Sequence, residues 1–205
     1  MSSLIYRRGF LAALTGVTAG RAWGRGPQAE SLFDGKTLNG WKQEGQATWS
    51  VEGGAIIGRQ GANGGSGDLF SEKQWQDFEL EVEWKMRWPG NSGIWFRYSG
   101  PQTAYQADIL DQPSHPGVLS GSIYCMGKAF NAENRDASSV NRNGWNRTVI
   151  TVQGNHFTVE QNGKSIVDLH DSTFSAPGSV GIQAHAGKEF NGMEIRVRKI
   201  RIRSL

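Results

Sequence analysis

The sequence predicts an all-β fold, an antiparallel β-sandwich of two sheets, from three observations. Apolar and polar residues alternate with period two along most of the chain, as in strands with one face in a core and the other in water. The 28 glycines, several beside Asn or Asp, supply tight turns between such strands. Stretches of helical periodicity are scarce, and no tandem repeat is visible.

The chain opens with Tyr6-Arg7-Arg8-Gly9-Phe10-Leu11 and a short apolar run to Ala19. Paired arginines before a weakly hydrophobic segment read as a twin-arginine export signal over residues 1–22, which implies the twin-arginine machinery as a partner and a periplasmic or extracellular destination. The run is shorter than the roughly 20 residues a stable bilayer anchor needs. The full chain carries a net charge of +3. Removing residues 1–22 would take away Arg7, Arg8 and Arg21 with no acid, so a nucleic-acid role argued from charge falls. The arginines at 196, 198, 201 and 203 read as a solvated strand face. A linker over residues 23–30 then leads to one domain, residues 31–205, long enough for a sizeable core. Cys125 is the only cysteine, which excludes a disulfide framework, and alternation buries it beside Ile123.

Two turn signals, Asp34-Gly35 and Asn39-Gly40, precede a hairpin that turns at Gly53-Gly54. The glycine-rich residues 61–67 lack the lysine and the strand-to-helix setting of a phosphate loop and read as flexible. Residues 77–110 hold three strands. Phe78, Leu80, Val82, Trp84 and Met86 face a core, and after Pro89-Gly90-Asn91 a second strand is expected to pair with the first as a hairpin. That pairing sets Ile94 and Phe96 in the core and puts Trp95 and Arg97 on an outer face beside Glu83. The third strand adds Gln106 and Asp108 to that face. A strand over residues 120–126 follows, presenting Tyr124, and then a polar loop to residue 143, long enough to expect a function for it. Hairpins turning at Gly154-Asn155 and Asn162-Gly163 come next, then a strand ending in Gln183 and His185. In the last strand Ile195 and Val197 have one parity and Ile200 and Ile202 the other, which predicts a bulge near Arg198 or Lys199.

The stretches LFDGKTLNGW, WSVEGGAI, DFELEVEWK, NSGIWFRY, YQADILD, SGSIY, GWNRTVITVQGNHFTVEQNG and GSVGIQAH, in this order, resemble the 3-keto-disaccharide hydrolase family, formerly domain of unknown function 1080. The resemblance implies a jelly-roll sandwich of the concanavalin A-like lectin and glucanase type, acting outside the cytoplasm on glycosides already oxidised at C3. Many members resemble Tyr-Glu-x-Gln-Ile-Leu-Asp where this chain has Tyr105-Gln106-Ala107-Asp108-Ile109-Leu110-Asp111, so the acid lies two positions further along the same strand face.

A ketone at C3 acidifies the C2 proton. A base removes it, the enolate expels the C1 substituent, and added water completes a net hydrolysis. Asp108 is the expected base, Arg97 the cation for the enolate, Glu83 a group that orients or assists, and His185 the acid. Trp95, Gln106, Tyr124, Gln183 and His115 are the expected substrate-binding residues. The residues by themselves establish no cofactor. A divalent metal stays open through the run Asp108, Asp111 and His115, whose spacing without a helix does not by itself assemble three ligands. The alternative is a non-catalytic carbohydrate-binding or adhesion module. An ordinary sandwich glucanase ranks third, because the Glu-x-Asp-x-x-Glu strand of such enzymes is absent.

Overall fold

A computed structural model describes residues 28–110 and 116–205. The expected export signal and His115 lie outside the described residues. In chain order the strands are β1 (Glu30–Ser31), β2 (Trp41–Gly45), β3 (Thr48–Glu52), β4 (Ala55–Arg59), β5 (Gly67–Trp75), β6 (Phe78–Arg87), β7 (Asn91–Gly100) and β8 (Thr103–Leu110). They continue as β9 (Leu119–Cys125), β10 (Ala129–Asn134), β11 (Asn146–Gln153), β12 (His156–Gln161), β13 (Lys164–His170), β14 (Gly178–Ala184) and β15 (Glu194–Ser204). Sheet I runs β13-β12-β11-β6-β15-β4-β3, with β1 on β15; sheet II runs β10-β9-β8-β7-β14-β5-β2. The pairings are antiparallel, and the two sheets form the expected sandwich. Among the described residues no helix is long and apolar enough to cross a membrane.

The inner faces carry the predicted alternation. Phe78, Leu80, Val82, Trp84 and Met86 from β6 are buried in one core with Ile94 and Phe96 from β7 and Tyr105, Ala107 and Ile109 from β8. Inside this core the Trp84 indole donates to Thr148 Oγ1 at 2.8 Å, and Thr148 donates to Gln161 Oε1 at 2.7 Å. Cys125 is fully buried beside Ile123, as alternation predicts. Turns fall at Gly53-Gly54 and at Asn162-Gly163, where left-handed backbone (φ 51° and 83°) makes the two-residue hairpin. The predicted bulge is at Lys199, whose φ is 52°, between Arg198 and Ile200.

Two expectations are overturned. The first is the hairpin of β6 and β7: these strands belong to opposite sheets, and residues 88–90 carry the chain across the sandwich. Alternation is the same for a strand that pairs with its predecessor and for one that faces it across a core, so parity alone does not distinguish them. The second is the structureless loop before residue 143. It contains β10, an edge strand with two register shifts on β9. Its Asn134 is buried and donates through Nδ2 to Ser120 O (2.7 Å) and Ser139 Oγ (2.8 Å). These bonds order a segment that has no apolar face of its own.

The outer face of sheet I is a ladder of ion pairs. Glu83 meets Arg198 and Lys199 at 2.9 and 2.8 Å, Glu81 meets Arg147 and Lys199 at 2.9 Å each, and Glu79 meets Arg203 at 3.1 Å. The basic stripe of β15 is thus matched by the glutamates of β6, the cross-strand pairing that a solvated face favours.

Candidate functional site

Antiparallel register brings the outer face of sheet II together in two rows. Gln106 stands opposite Tyr124 on one side and Trp95 on the other, Trp95 opposite Gly181, and Gly181 opposite Phe70. In the next row Asp108 stands opposite Gly93, and Gln183 opposite Asp68. Ile94 pairs with Ile182, and His185 N bonds to Asn91 O at 3.2 Å, so Gly93 lies level with Gln183. Asp108, Gly93, Gln183 and Asp68 therefore cross four adjacent strands in line.

The glycines make the floor. A Cβ on Gly93 would lie 2.2 Å from Gln106 Cδ, so the Gln106 side chain rests directly on that backbone. A Cβ on Gly181 would lie 2.4 Å from the Phe70 ring. Glycine is required at both places by close approach rather than by dihedral angle. Phe70, Trp95 and Ala104 form a small apolar cluster here, with Tyr98 stacked on Phe70 at 3.7 Å between ring centroids.

Asp68 is the residue that sequence reasoning missed. It is half-buried at the start of β5 and accepts a 2.7 Å hydrogen bond from the Trp95 indole. Burial pushes its pKa up to about 6, against the hydrogen bonds from Trp95 and Gln183 and the charge of His185, while Glu44 adds to the rise. Its signal was present: in Gly67-Asp68-Leu69-Phe70 the alternation begins at the last glycine, but the glycine-rich run before it reads as loop. The run is not loose coil; it forms a 3-10 turn at Ala62–Gly64, and Gly61 and Gly65 abut Gln46.

Asp108 is only 5% exposed, and burial alone drives its pKa well above the usual carboxylate range. Gln106, two residues earlier on the same face, is 3% exposed, and its Nε2 has no hydrogen-bond partner among the described residues. A buried amide without an acceptor beside a carboxyl whose anion burial disfavours is costly unless something occupies the space they share. His185 is half-buried, edge-on to Phe190. Its Nδ1 bonds to the Ala186 carbonyl, which can only accept, so Nδ1 carries a proton and Nε2 is the ring atom left over. Beyond it lies a cavity of about 620 Å³ lined in part by Arg59, Gln60, Asn63, Arg87 and Lys188. Gln60 joins the two by donating to the carbonyls of His185 and Gly187, both at 2.9 Å.

The sequence-predicted residues divide. Trp95, Gln106, Asp108, Tyr124, Gln183 and His185 belong to this face. Trp95 is 5% exposed, a wall that holds Asp68 rather than an open platform. Glu83 is on the outer face of the opposite sheet, held by Arg198 and Lys199. Arg97 is also displaced. Its φ of 54° at a break in the β7–β8 register turns the side chain inward, and Tyr98 takes the outward position. Arg97 Nη1 donates to Ser175 O at 2.7 Å, and Nη2 to Gln76 O, Asp77 Oδ1 and Gly154 O at 3.1, 3.2 and 2.8 Å. It closes one end of the sandwich and does not neighbour Glu83. Replacing Arg97 with Ala is expected to cost about 3 kcal/mol of stability, because a buried charge pair and its carbonyl partners are broken. Urea unfolding checks this, and an unchanged midpoint would contradict the structural role.

The fold and this face define a class: a lectin-type β-sandwich with two carboxyl groups and an imidazole on the outer face of one sheet. Residues 28–203 match the 3-keto-alpha-glucoside-1,2-lyase-like domain, and the chain belongs to that family. A 3-keto-disaccharide hydrolase of Bacteroides thetaiotaomicron is 27% identical over 172 residues, covering 68% of this chain and 58% of the relative; the chain thus matches little more than half of that protein. Among solved structures, a candidate glycosyl hydrolase of Parabacteroides distasonis superposes with a TM-score of 0.65 at 20% identity, covering 86% of this chain and 94% of that one. The carbohydrate-binding module CBM66 of Bacillus subtilis superposes with a TM-score of 0.64 at 19% identity, covering 82% and 98%. These structural likenesses establish the fold.

Proposed function

We propose that the protein cleaves 3-keto-glycosides by removing the C2 proton and eliminating the C1 substituent, with water addition completing a net hydrolysis. The observation that carries this reading is the pair of carboxyl groups on one face whose surroundings separate their protonation states. Asp68, with a pKa of about 6, is ionised at neutral pH and suits the base. Asp108, whose anion burial disfavours, suits a proton donor, so the base expected from sequence is reassigned for a physical reason: burial raises its pKa with no opposing partner among the described residues. A carboxyl kept neutral by its site can hydrogen-bond to an enolate oxygen.

In this scheme the sugar lies against the Gln106 side chain that covers Gly93, with its C3 oxygen facing the Asp108 hydroxyl and Gln106 Nε2. Asp68 takes the C2 proton, and the C2–H electron pair becomes the C2–C3 double bond of the enolate. Collapse of the enolate restores the C3 carbonyl, forms C1=C2 and breaks the bond from C1 to the leaving oxygen, which takes the Nε2 proton of His185 in its imidazolium form and leaves the ring as the Nδ1–H tautomer. Water then adds at C1, and a proton returns to C2. Trp95 and Tyr124 bound the sugar, and the cavity beyond His185 receives the leaving group. Export through the twin-arginine route would place this activity outside the cytoplasm.

The test is incubation of the purified protein with a 3-keto-glucoside and its unoxidised parent, with and without chelator. Aglycone release from the keto form alone is expected. Release from the parent would indicate ordinary glycoside hydrolysis, and binding without release from either would indicate a carbohydrate-binding module. Loss of release on chelation would add a metal to the site.

A further inference from the structure

On the far sheet, away from the face just described, His156, Asp168 and His170 converge at one corner of the hairpin β12–β13. His156 and His170 are direct cross-strand partners, and Asp168 precedes His170 by two residues, which puts all three on the outer face. The imidazole rings lie parallel with centroids 4.4 Å apart, His156 Nε2 is 2.9 Å from Asp168 Oδ1, and one ligand atom from each residue lies within 4.8 Å of the others. We propose that these three side chains form a surface site for a divalent transition metal of the zinc, nickel or copper class.

The chemistry favours that class. Two imidazoles and a single carboxylate suit zinc and its borderline neighbours, whereas calcium and magnesium require several oxygens. With metal–ligand bonds of about 2.0–2.2 Å, ligand atoms sit roughly 3–3.5 Å apart. The His156–Asp168 pair is already at that spacing, and rotation of the exposed His170 ring closes the remainder. The backbone beneath is fixed. Gln153 pairs with His156 across the neighbouring strand, Asp171 N bonds to Asn155 O at 2.9 Å, and Asn155 Nδ2 bonds to Ser172 Oγ at 3.1 Å. A site on rigid strands loses less freedom when it binds than one on a loop.

The site would staple the hairpin beside Asp171, which receives hydrogen bonds from Tyr105 Oη on sheet II and from Asn131. A metal there ties the edge of sheet I next to a contact that joins the two sheets. Three protein ligands also leave a coordination position for water.

The test is calorimetric titration of the full-length protein, stripped of metal, with zinc chloride and separately with nickel chloride, alongside thermal unfolding. Wild type is expected to bind one equivalent with an upward shift of its unfolding midpoint. His156→Ala and His170→Ala should each weaken that binding on the order of a hundredfold, and Asp168→Asn by about tenfold. Circular dichroism of the apo variants should match wild type, because the three side chains make no core contact. No saturable binding by wild type at millimolar metal would overturn the proposal. So would binding of the same affinity in both histidine variants, which would place the metal elsewhere.

Discussion

Asp68→Asn is expected to lower kcat on 3-keto-glycosides by about 10²- to 10⁴-fold, the range for loss of a general base, with little change in KM. Asparagine keeps an oxygen to accept the Trp95 indole N–H, so the wall and floor of the face stay in place and only proton abstraction is lost. In the wild type, kcat/KM should rise with pH through about 6, where Asp68 ionises. The stability effect has the opposite sign. The folded-state pKa lies above the unfolded value, so the favourable contribution is complete below about pH 4 and is lost as pH rises through about 6. Asp68→Asn should therefore be more stable than wild type at pH 8, by about 3 kcal/mol, and equal to it at pH 3. A pH-rate profile and denaturant melts at both pH values check the two limbs. Full activity in the variant would remove Asp68 from the mechanism.

The face that holds Asp68 was only partly legible. Period-two alternation correctly assigned inner and outer sides to Trp84, Ile94, Trp95, Gln106 and Asp108, because side-chain direction in a strand is a local property. Which strand lies beside which is not local. The short connection through Trp88 and Pro89 reads equally as a hairpin turn and as an arch between sheets, and only the whole β15–β6–β11 ladder decides for the arch. Glu83 and Arg97 were consequently joined on one face, although one lies outside sheet I and the other inside an end of the sandwich. Arg97 also shows where alternation fails, since a single left-handed residue reverses direction, and an arginine carries no sequence mark of that conformation. The bulge at Lys199 was legible because apolar residues on both sides of it recorded the change of parity. Asp68 was hidden for a different reason: it comes to Trp95 and Gln183 from a strand late in the sheet order, with a glycine-rich run masking its start.

Asp108 supplies the sharper test of how the two carboxyl groups divide the work. If it donates a hydrogen bond from a neutral carboxyl, Asp108→Asn retains a donor and should keep activity within about tenfold of wild type. Asp108→Ala removes the donor and should lose about 10²- to 10³-fold in kcat, the cost of deleting one preorganised donor to a developing oxyanion. If Asp108 were the base, both variants would be equally inactive. The titration of the group adds an independent sign. Burial raises the folded-state pKa well above the unfolded one, so wild type loses stability as pH rises from about 4 toward the folded value, while Asp108→Asn does not. The stability curves of the two proteins should coincide in acid and separate progressively toward alkaline pH, with the variant above. Curves that stay parallel would mean that Asp108 ionises as readily in the folded chain as in the unfolded one. The neutral-donor role would then pass to Gln106 alone, whose amide lies over Gly93 with Nε2 unpartnered among the described residues.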